Sequence, residues 1–356
     1  MKYFGVCYDT GLRFTPEKLS LERFDPAQAE YDMRAIANDL HANAVRIEGE
    51  DIDRLVITSR AAHRAGLTVW FSPWKMDAGL EANKTYLTDA AREAEKLRKE
   101  GVNIVFVTGC EYTLFNDGIY PGSSVYERSA WAYAELGNKG WPYTPVGLPE
   151  PFPTKAKELN SILASLVDVV KGSFNGPQTY SAAIFEEVDW SLFDFVGTNY
   201  YRERQTDEQY AAGLKYFQSF GRPVAVTEFG CCSYQGAAIR GSRGWRIMTG
   251  FDSNGNCQWE NGVVPTRNEK EQADYIERQF RFYASHGVEA AFVFIFSQPG
   301  WPMGEPPNDL DLCGFGIVKL YPDSDPRSRQ APNWEPKESF RRIGELFRNH
   351  STSASK

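Results

Sequence analysis

The chain has 356 residues, of which 42% are hydrophobic and 24% are charged, and its formal net charge is −8. This composition excludes a generally disordered protein, because such chains have too few apolar residues to bury a core. The acidic balance argues against a general nucleic-acid binder. No apolar run reaches the length of about 18 residues that spans a bilayer, so neither a transmembrane helix nor a membrane partner is expected.

The start of the chain and its cysteines bear on the compartment. The first residues lead directly into a predicted strand, without the basic and apolar segments of a signal peptide. The six cysteines are too sparse for a disulfide scaffold and form no C-x-x-C pair. We therefore expect reduced thiols and a cytoplasmic protein, although a secreted domain cloned without its leader would look the same.

Short apolar runs bounded by Gly, Pro, Asn or Asp predict eight strands. In chain order these cover residues 3–7, 44–48, 68–72, 103–108, 179–183, 195–199, 224–227 and 291–296. Several are apolar throughout, which is typical of strands buried on both faces of a parallel sheet. Helical spacing of apolar residues predicts helices over 26–40, 53–65, 88–99, 155–171, 208–220, 269–285 and 336–348.

The regular alternation of strands and helices predicts an α/β fold, a single-domain (β/α)8 TIM barrel over residues 1–350. Residues 351–356 are expected to form a disordered polar tail. An open doubly wound sheet is the alternative, but the segment after the first strand is not the Gly-rich turn of that fold. The long connections, 112–154 after strand four and 229–268 after strand seven, would lie at the C-terminal mouth, where barrel active sites form.

Two glutamates stand where predicted strands end. Glu111 follows the fourth strand and Glu228 follows the seventh. In a closed barrel their side chains would face each other across the mouth. Two carboxyls in that arrangement can cleave a glycosidic bond, because one can protonate the leaving oxygen while the other attacks the anomeric carbon. Their environments must then differ, so that one is protonated and the other is ionised.

This pair and its strand context resemble clan A of the glycoside hydrolases, the superfamily of cellulases and β-glucosidases. The similar motifs are Ala-Val-Arg-Ile-Glu at 44–48, Asp-Phe-Val-Gly-Thr-Asn-Tyr-Tyr at 194–201 and Val-Thr-Glu-Phe-Gly at 226–230. The pattern extends over residues 3–300. The resemblance implies a retaining hydrolase with Glu111 as acid/base and Glu228 as nucleophile. It also implies that Arg46, in the second strand, supports the nucleophile.

Other side chains are predicted to lie at the same mouth. Arg46 would place a positive charge beside a carboxylate and keep it ionised, with a surface salt bridge as the alternative. Asn199 and Tyr201 are two residues apart and therefore point to the same side. There they could bond a sugar hydroxyl and the nucleophile, with packing inside the barrel as the alternative. Tyr200 would point the other way unless the strand has already ended.

Aromatic residues make up 14% of the chain, and many lie in Gly/Pro-rich stretches. Their flat faces suit sugar rings, although packing under long loops is the alternative. Trp74, after strand three, is a candidate stacking platform. Trp301 would substitute for the tryptophan with which strand eight commonly ends in the clan. Glu48 ends strand two and could bind sugar hydroxyls or cap the next helix.

One position departs from the clan. The residue before the acid/base is usually Asn, which bonds the sugar 2-hydroxyl, whereas here it is Cys110, a poor hydrogen-bond former. This departure favours the alternative of a non-catalytic carbohydrate-binding or regulatory barrel. A lyase or transglycosylase using the same carboxylates is a second alternative. The preferred prediction is a retaining glycoside hydrolase that acts on a carbohydrate or glycoconjugate. No metal-ligand spacing or cofactor motif is present, so no metal or cofactor is expected.

Overall fold

The computed structural model describes residues 1–137 and 141–354. In chain order the strands are β1 (Tyr3–Asp9), β2 (Ala44–Gly49), β3 (Thr68–Pro73), β4 (Ile104–Cys110), β5 (Gln178–Ser181), β6 (Val196–Asn199), β7 (Val224–Phe229), β8 (Met248–Phe251), β9 (Cys257–Trp259), β10 (Ala290–Val293), β11 (Val318–Leu320) and β12 (Trp334–Pro336). The helices are α1 (Pro26–Asn38), α2 (Ile52–Arg64), α3 (Leu80–Lys99), α4 (Tyr112–Phe115), α5 (Val125–Glu135), α6 (Phe152–Lys171), α7 (Asp207–Gln218), α8 (Glu269–Ser285) and α9 (Glu338–Ala354).

Eight parallel strands form the wall of a barrel. Their order is β5-β4-β3-β2-β1-β10-β7-β6, so each strand pairs with its neighbours in the predicted ring. The ring closes between β5 and β6 through a bridge of Ala182 and Thr198, where the Asn199 N–H donates to the Ala182 carbonyl at 2.9 Å. The predicted (β/α)8 barrel is therefore confirmed, and the open doubly wound sheet is wrong.

The strand positions agree with the sequence prediction, with small shifts at the ends. β4 continues two residues further than predicted, to Cys110, and β7 includes Glu228 and Phe229. Glu111 is consequently the first residue after β4, whereas the Glu228 side chain is fixed by a strand that pairs on both sides. The two glutamates therefore stand at the same end of the barrel.

The long connections contain structure that the sequence pattern did not reveal. The connection after β4 holds α4 and α5, and the connection after β7 holds the β8–β9 hairpin. The β11–β12 hairpin follows the last barrel strand. Helix α9 continues to Ala354, into the segment predicted as a tail, and residues 355 and 356 lie outside the described residues. Within the described chain, no helix has the length and apolar character needed to cross a bilayer.

The barrel interior changes character along its axis. Its lower part is filled by apolar side chains, and the Trp70 ring lies 5.1 Å from Phe195 and 5.0 Å from Phe292. Nearer the mouth, the strands turn buried polar groups inward, among them Arg46, Glu48, Ser72, Ser181, Asn199, Thr227 and Glu228. Buried polar groups are costly unless they bond one another, and all of these groups except Glu48 take part in hydrogen bonds within the layer.

The close contact between β1 and β2 at Gly5 can be tested by substitution. A Cβ at this position would lie 1.8 Å from the Ala44 carbonyl oxygen, which a strand cannot move aside. We expect Gly5→Ala to lower the free energy of unfolding by about 3 kcal/mol, as overpacked cores do. Gly172→Ala is the control, since its Cβ would meet only ordinary contacts. Denaturant titration measures both, and an unchanged midpoint for Gly5→Ala would contradict the packing.

Candidate active site

Glu228 lies near the end of β7 and is 6% exposed. Its Oε1 accepts a hydrogen bond from Arg46 Nη1 at 2.7 Å, and its Oε2 accepts one from the Tyr201 hydroxyl at 3.0 Å. Both partners were predicted to support this carboxylate, and the structure brings both to it. The two bonds hold both oxygens of the Glu228 carboxyl in fixed positions, and the bond from Arg46 is charge-assisted.

Arg46 is fully buried inside the barrel. Besides Glu228, its Nη1 lies 3.3 Å from the Thr227 carbonyl oxygen, and its Nε lies 3.4 Å from the Ser72 hydroxyl. Its Nη2 lies 3.3 Å from Glu48 Oε2. These contacts come from three different strands, so the guanidinium is held in one orientation below Glu228.

Glu111 follows β4 in a left-handed backbone conformation, with φ 41° and ψ 50°. Such a conformation is uncommon for a residue other than glycine, and its cost of order 1–3 kcal/mol must be met by surrounding contacts. The Glu111 N–H donates to the Ser181 carbonyl at 2.8 Å, and its own carbonyl accepts from the Leu114 and Phe115 N–H groups. The chain thereby turns sharply from β4 into α4.

Asn199 lies between the two glutamates and bonds one of them through its side chain. It pairs in register with Glu228, and its Nδ2 donates to Glu111 Oε1 at 2.8 Å. Thr227 Oγ1 donates to Asn199 Oδ1 at 2.8 Å, and the Ser181 hydroxyl lies 2.8 Å from the same oxygen. Because Oδ1 faces two hydroxyls, Nδ2 has to face Glu111, which fixes the orientation of the amide.

Cys110 is buried between the same groups. Its Sγ lies 3.5 Å from Glu228 Oε1 and 3.6 Å from Asn199 Nδ2. Burial, together with the negative charge of Glu228, raises the pKa of this thiol well above its ordinary value. Cys110 is therefore a neutral thiol that packs against the nucleophile candidate and can donate only a weak hydrogen bond to it.

The two glutamates have different electrostatic environments. Burial, and next the negative charge of Glu228, raise the pKa of Glu111 to about 8, and the bond from Asn199 only partly opposes this rise. Glu111 is therefore protonated at neutral pH. Burial and Glu228 also raise the pKa of Tyr201, which keeps its phenol protonated and able to donate to Oε2. The site thus holds one carboxylate in an ion pair and one neutral carboxylic acid.

Glu48 is a third carboxyl beneath the site. It is fully buried, and neither carboxyl oxygen has a hydrogen-bond partner. Glu48 Oε2 lies 3.3 Å from Arg46 Nη2, within the distance of an ion pair. Burial nevertheless raises the pKa of Glu48 to about 8. We regard Glu48 as neutral at pH 7, because the single charge of Arg46 is already paired at shorter distance with Glu228. Its carboxyl lies inside the barrel and does not line the cleft described next.

A cleft opens from Glu111 across the loops that follow β4, β5, β6 and β7. Its empty space, open to solvent, is about 930 Å³. The described lining residues include the two predicted polar groups Asn199 and Tyr201, and three aromatic side chains of the long loops, Trp141, Tyr143 and Trp245. Glu228 does not line the cleft. The cleft therefore reaches Glu111, and also Tyr201, which bonds Glu228, but not Glu228 itself.

Three predicted binding residues lie away from this cleft or point out of it. Trp74 is 5% exposed, and its ring meets the edge of Phe115 at 4.8 Å. Trp301 is partly buried against the apolar interior of the barrel and does not line the cleft. The backbone of Tyr200 borders the cleft, but its hydroxyl donates to the Tyr210 carbonyl at 2.7 Å, in the layer of helices.

Glu186 and Tyr180 hold the turn that carries Glu111. Glu186 is buried and accepts hydrogen bonds from the Thr113 N–H at 3.0 Å and from the Tyr180 hydroxyl at 2.9 Å. The Tyr180 hydroxyl in turn accepts from the Tyr112 N–H at 2.6 Å. No sequence pattern signalled this role for Glu186 or Tyr180, because the contacts join β5 and its loop to a helix that was not predicted.

No cluster of three or more metal-ligating side chains occurs in residues 1–137 and 141–354. All six cysteines are buried and free. The groups described at the mouth are the two carboxyls, with Arg46, Asn199 and Tyr201 as their partners.

Comparison with known structures supports the barrel. A GH113 beta-1,4-mannanase aligns with a TM-score of 0.61 and 16% identity, over 98% of this chain and 99% of that chain. A GH113 beta-mannanase from Alicyclobacillus acidocaldarius aligns with a TM-score of 0.57 and 14% identity, over 98% of each chain. A beta-glucosidase aligns with a TM-score of 0.56 and 14% identity, also over 98% of each chain.

No family model and no curated protein matches the chain. At identities of 14–16%, the structural likeness shows the fold alone. The chain therefore has a barrel similar to those of glycoside hydrolases, as the resemblance to clan A implied.

Glu48 makes stability depend on pH. Its pKa is about 8 when folded but near 4.5 when the chain is unfolded, so between these values the unfolded chain releases a proton that the folded chain keeps. Stability is therefore lost as the pH rises through this range. We expect Glu48→Gln, which cannot ionise, to gain in Tm over the wild type from pH 5 to pH 8. Thermal melts followed by circular dichroism measure the difference. For Glu345→Gln, on the exposed face of α9, the difference in Tm from the wild type should not change with pH. A difference in Tm that is equally independent of pH for Glu48→Gln would refute the assignment.

Proposed function

We propose that the protein is a retaining glycoside hydrolase, with Glu111 as general acid/base and Glu228 as nucleophile. The observation that carries the proposal is the contrast between the two carboxyls. Glu228 is ion-paired at 2.7 Å with a buried guanidinium, whereas the pKa of Glu111 is raised to about 8. A glycosidase that forms a covalent intermediate requires this pairing of a charged and a neutral carboxyl.

In the first step, a Glu228 carboxylate oxygen attacks the anomeric carbon. The bond from that carbon to the leaving oxygen breaks, and the Glu111 proton passes to this oxygen, so the leaving group departs as a neutral alcohol. Tyr201 and Arg46 each bond one oxygen of Glu228, which leaves the carboxylate in a fixed orientation for the attack. The product is a glycosyl ester of Glu228, and Glu111 is left as a carboxylate.

In the second step, Glu111 accepts a proton from a water molecule whose oxygen attacks the anomeric carbon. The ester bond to Glu228 breaks, and the sugar leaves with its original configuration after two inversions. The negative charge of Glu228 is one cause of the raised pKa of Glu111, and esterification removes that charge. The pKa of Glu111 therefore falls in the intermediate, which suits its change from acid to base.

The substrate class that fits this site is a carbohydrate or glycoconjugate. The aromatic side chains Trp141, Tyr143 and Trp245 line the cleft beside Glu111, and such flat apolar faces suit sugar rings. The neighbours named as mannanases and a glucosidase are consistent with this class. Cys110 favours the alternative of a carbohydrate-binding barrel without turnover, since a thiol cannot replace the usual amide at that position.

Two substitutions test the assignment of roles. Glu228→Gln should remove turnover, because the amide is a poor nucleophile. Glu111→Ala should slow substrates with poor leaving groups by about 10²–10⁴-fold, but activated aryl glycosides far less, because those do not need a proton. Steady-state kinetics over a panel of glycosides measures both effects.

Glu187→Gln, at an exposed glutamate in the loop after β5 and next to the buried Glu186, serves as the matched control and should keep wild-type rates. Wild-type turnover in Glu228→Gln would overturn the assignment. Sugar binding without turnover by the wild type over the whole panel would instead support the binding barrel. Proton NMR of the first-formed anomer separates retention from inversion.

The activity should also fall at alkaline pH. Glu111 must be protonated for the first step, and its pKa is about 8, so kcat/KM should decline about tenfold per pH unit above pH 8. Glu111→Ala, assayed on an activated aryl glycoside, should lack this decline. If the decline persists in Glu111→Ala but disappears in Glu48→Gln, it belongs to Glu48 instead, whose pKa is also about 8.

A further inference from the structure

The wall of the cleft beyond Glu111 has an unusual charge for this chain. The protein carries a formal net charge of −8, yet the charged residues in the described lining of the cleft are Glu111, Glu203, Arg243 and Arg246. With Glu111 protonated, the described lining therefore holds two positive charges and one negative charge. A cleft with an excess of one charge attracts a ligand of the opposite sign.

Arg243 is already paired. Its Nε and Nη2 donate to the two carboxylate oxygens of Glu203 at 3.1 and 2.7 Å, in the two-bond geometry typical of arginine. This pair links the loop after β7 to the loop after β6. Its charges cancel, and it holds the segment that carries Arg246 against the cleft.

Arg246 is an exposed residue of the same cleft wall. Within the described parts of the chain no carboxylate pairs with its guanidinium, which lies 5.3 Å from the centre of the Trp245 ring. Partial desolvation in the cleft and the positive charge of Arg243 lower the pKa of Arg246, which is the effect of a cation without a counter-charge. The cleft thus presents one uncompensated guanidinium beside an aromatic ring.

The position of this cation identifies the part of a substrate that it would meet. Glu111 lines the cleft, and Glu228 does not. In the proposed reaction the acid protonates the leaving oxygen, while the nucleophile attacks from the other face of the sugar. The cleft that leads away from Glu111 therefore receives the leaving group.

We propose that Arg246 binds a single negative charge on the leaving group, so that the preferred substrate is an acidic oligosaccharide or glycoconjugate. This inference rests on the proposed function and names its substrate class. One free guanidinium matches a monoanion, such as the carboxylate of a sugar acid or a sulfate ester. The neighbouring Trp245 would contact the apolar face of the same unit.

The test compares oligosaccharides that differ only in the charge of the leaving unit. Di- and trisaccharides are reduced to alditols or oxidised to aldonates at the reducing end, and a third set carries one sulfate on the alditol. At low salt, we expect the wild type to have a kcat/KM about fivefold higher for either the aldonate or the sulfated alditol than for the neutral alditol. This preference should shrink in 0.5 M NaCl. The anion that is preferred distinguishes a sugar acid from a sulfate ester.

Arg246→Gln should lose this preference, giving a ratio near one. The matched control is Arg281→Gln, an exposed arginine of α8 that is paired with Glu277 and is remote from the cleft. This variant should keep the preference. Equal rates on charged and neutral substrates in the wild type, or an unchanged ratio in Arg246→Gln, would overturn the proposal.

A binding measurement separates this proposal from the hydrolase assignment. Calorimetric titration of the same alditol and aldonate pairs into Glu228→Gln reports affinity without turnover. Tighter aldonate binding that requires Arg246, with no turnover by the wild type, would support the anion site and reject the hydrolase. Turnover without any charge preference would support the hydrolase and reject the anion site. If no oligosaccharide in the panel binds or reacts, both proposals fail.

Discussion

The ion pair between Arg46 and Glu228 is the interaction on which the site depends. A fully buried guanidinium is costly to desolvate, and only partners held at close distance make it tolerable. The barrel supplies those partners from several strands, so the closed ring of strands is what makes the pair possible. Arg46 contacts two carboxyls and lies closer to Glu228 than to Glu48. Burial raises the pKa values of Glu48 and Glu111 to about 8, so these two carboxyls are neutral at pH 7.

This arrangement explains how one network can hold two carboxyls in opposite states. Asn199 connects Glu111 to the layer of Ser181 and Thr227, and it can do so because its amide has both a donor and an acceptor. The clan places an amide on the residue before the acid/base, whereas here that residue is a thiol. In this chain the amide that reaches the acid comes from β6.

The sequence allowed the positions of the principal candidate residues to be predicted because these positions depend on regular strands. Glu111 and Glu228 follow from strand ends, and Arg46 and Tyr201 follow from strand parity and the resemblance to clan A. The structure shows all four at one end of the barrel. The contacts of Glu186 and Tyr180 could not be predicted, because they depend on α4, a helix of four residues with no periodic pattern. Trp74 shows a different limit, since a tryptophan after a strand looks the same whether it packs or binds a ligand.

The closure of the barrel between β5 and β6 has a consequence for motion. The other adjacent strands are joined by ladders, but this seam depends on a single bridge and the few bonds around it. Segments with few backbone bonds open first, so amide hydrogen exchange is expected to be fastest along this line of the wall. Glu111 is bonded to Ser181 on one side of the seam, and Asn199 stands on the other. Widening of the seam would move Glu111 away from the Asn199 amide. Thermal opening of the barrel wall at this seam would therefore also disturb the orientation of Glu111.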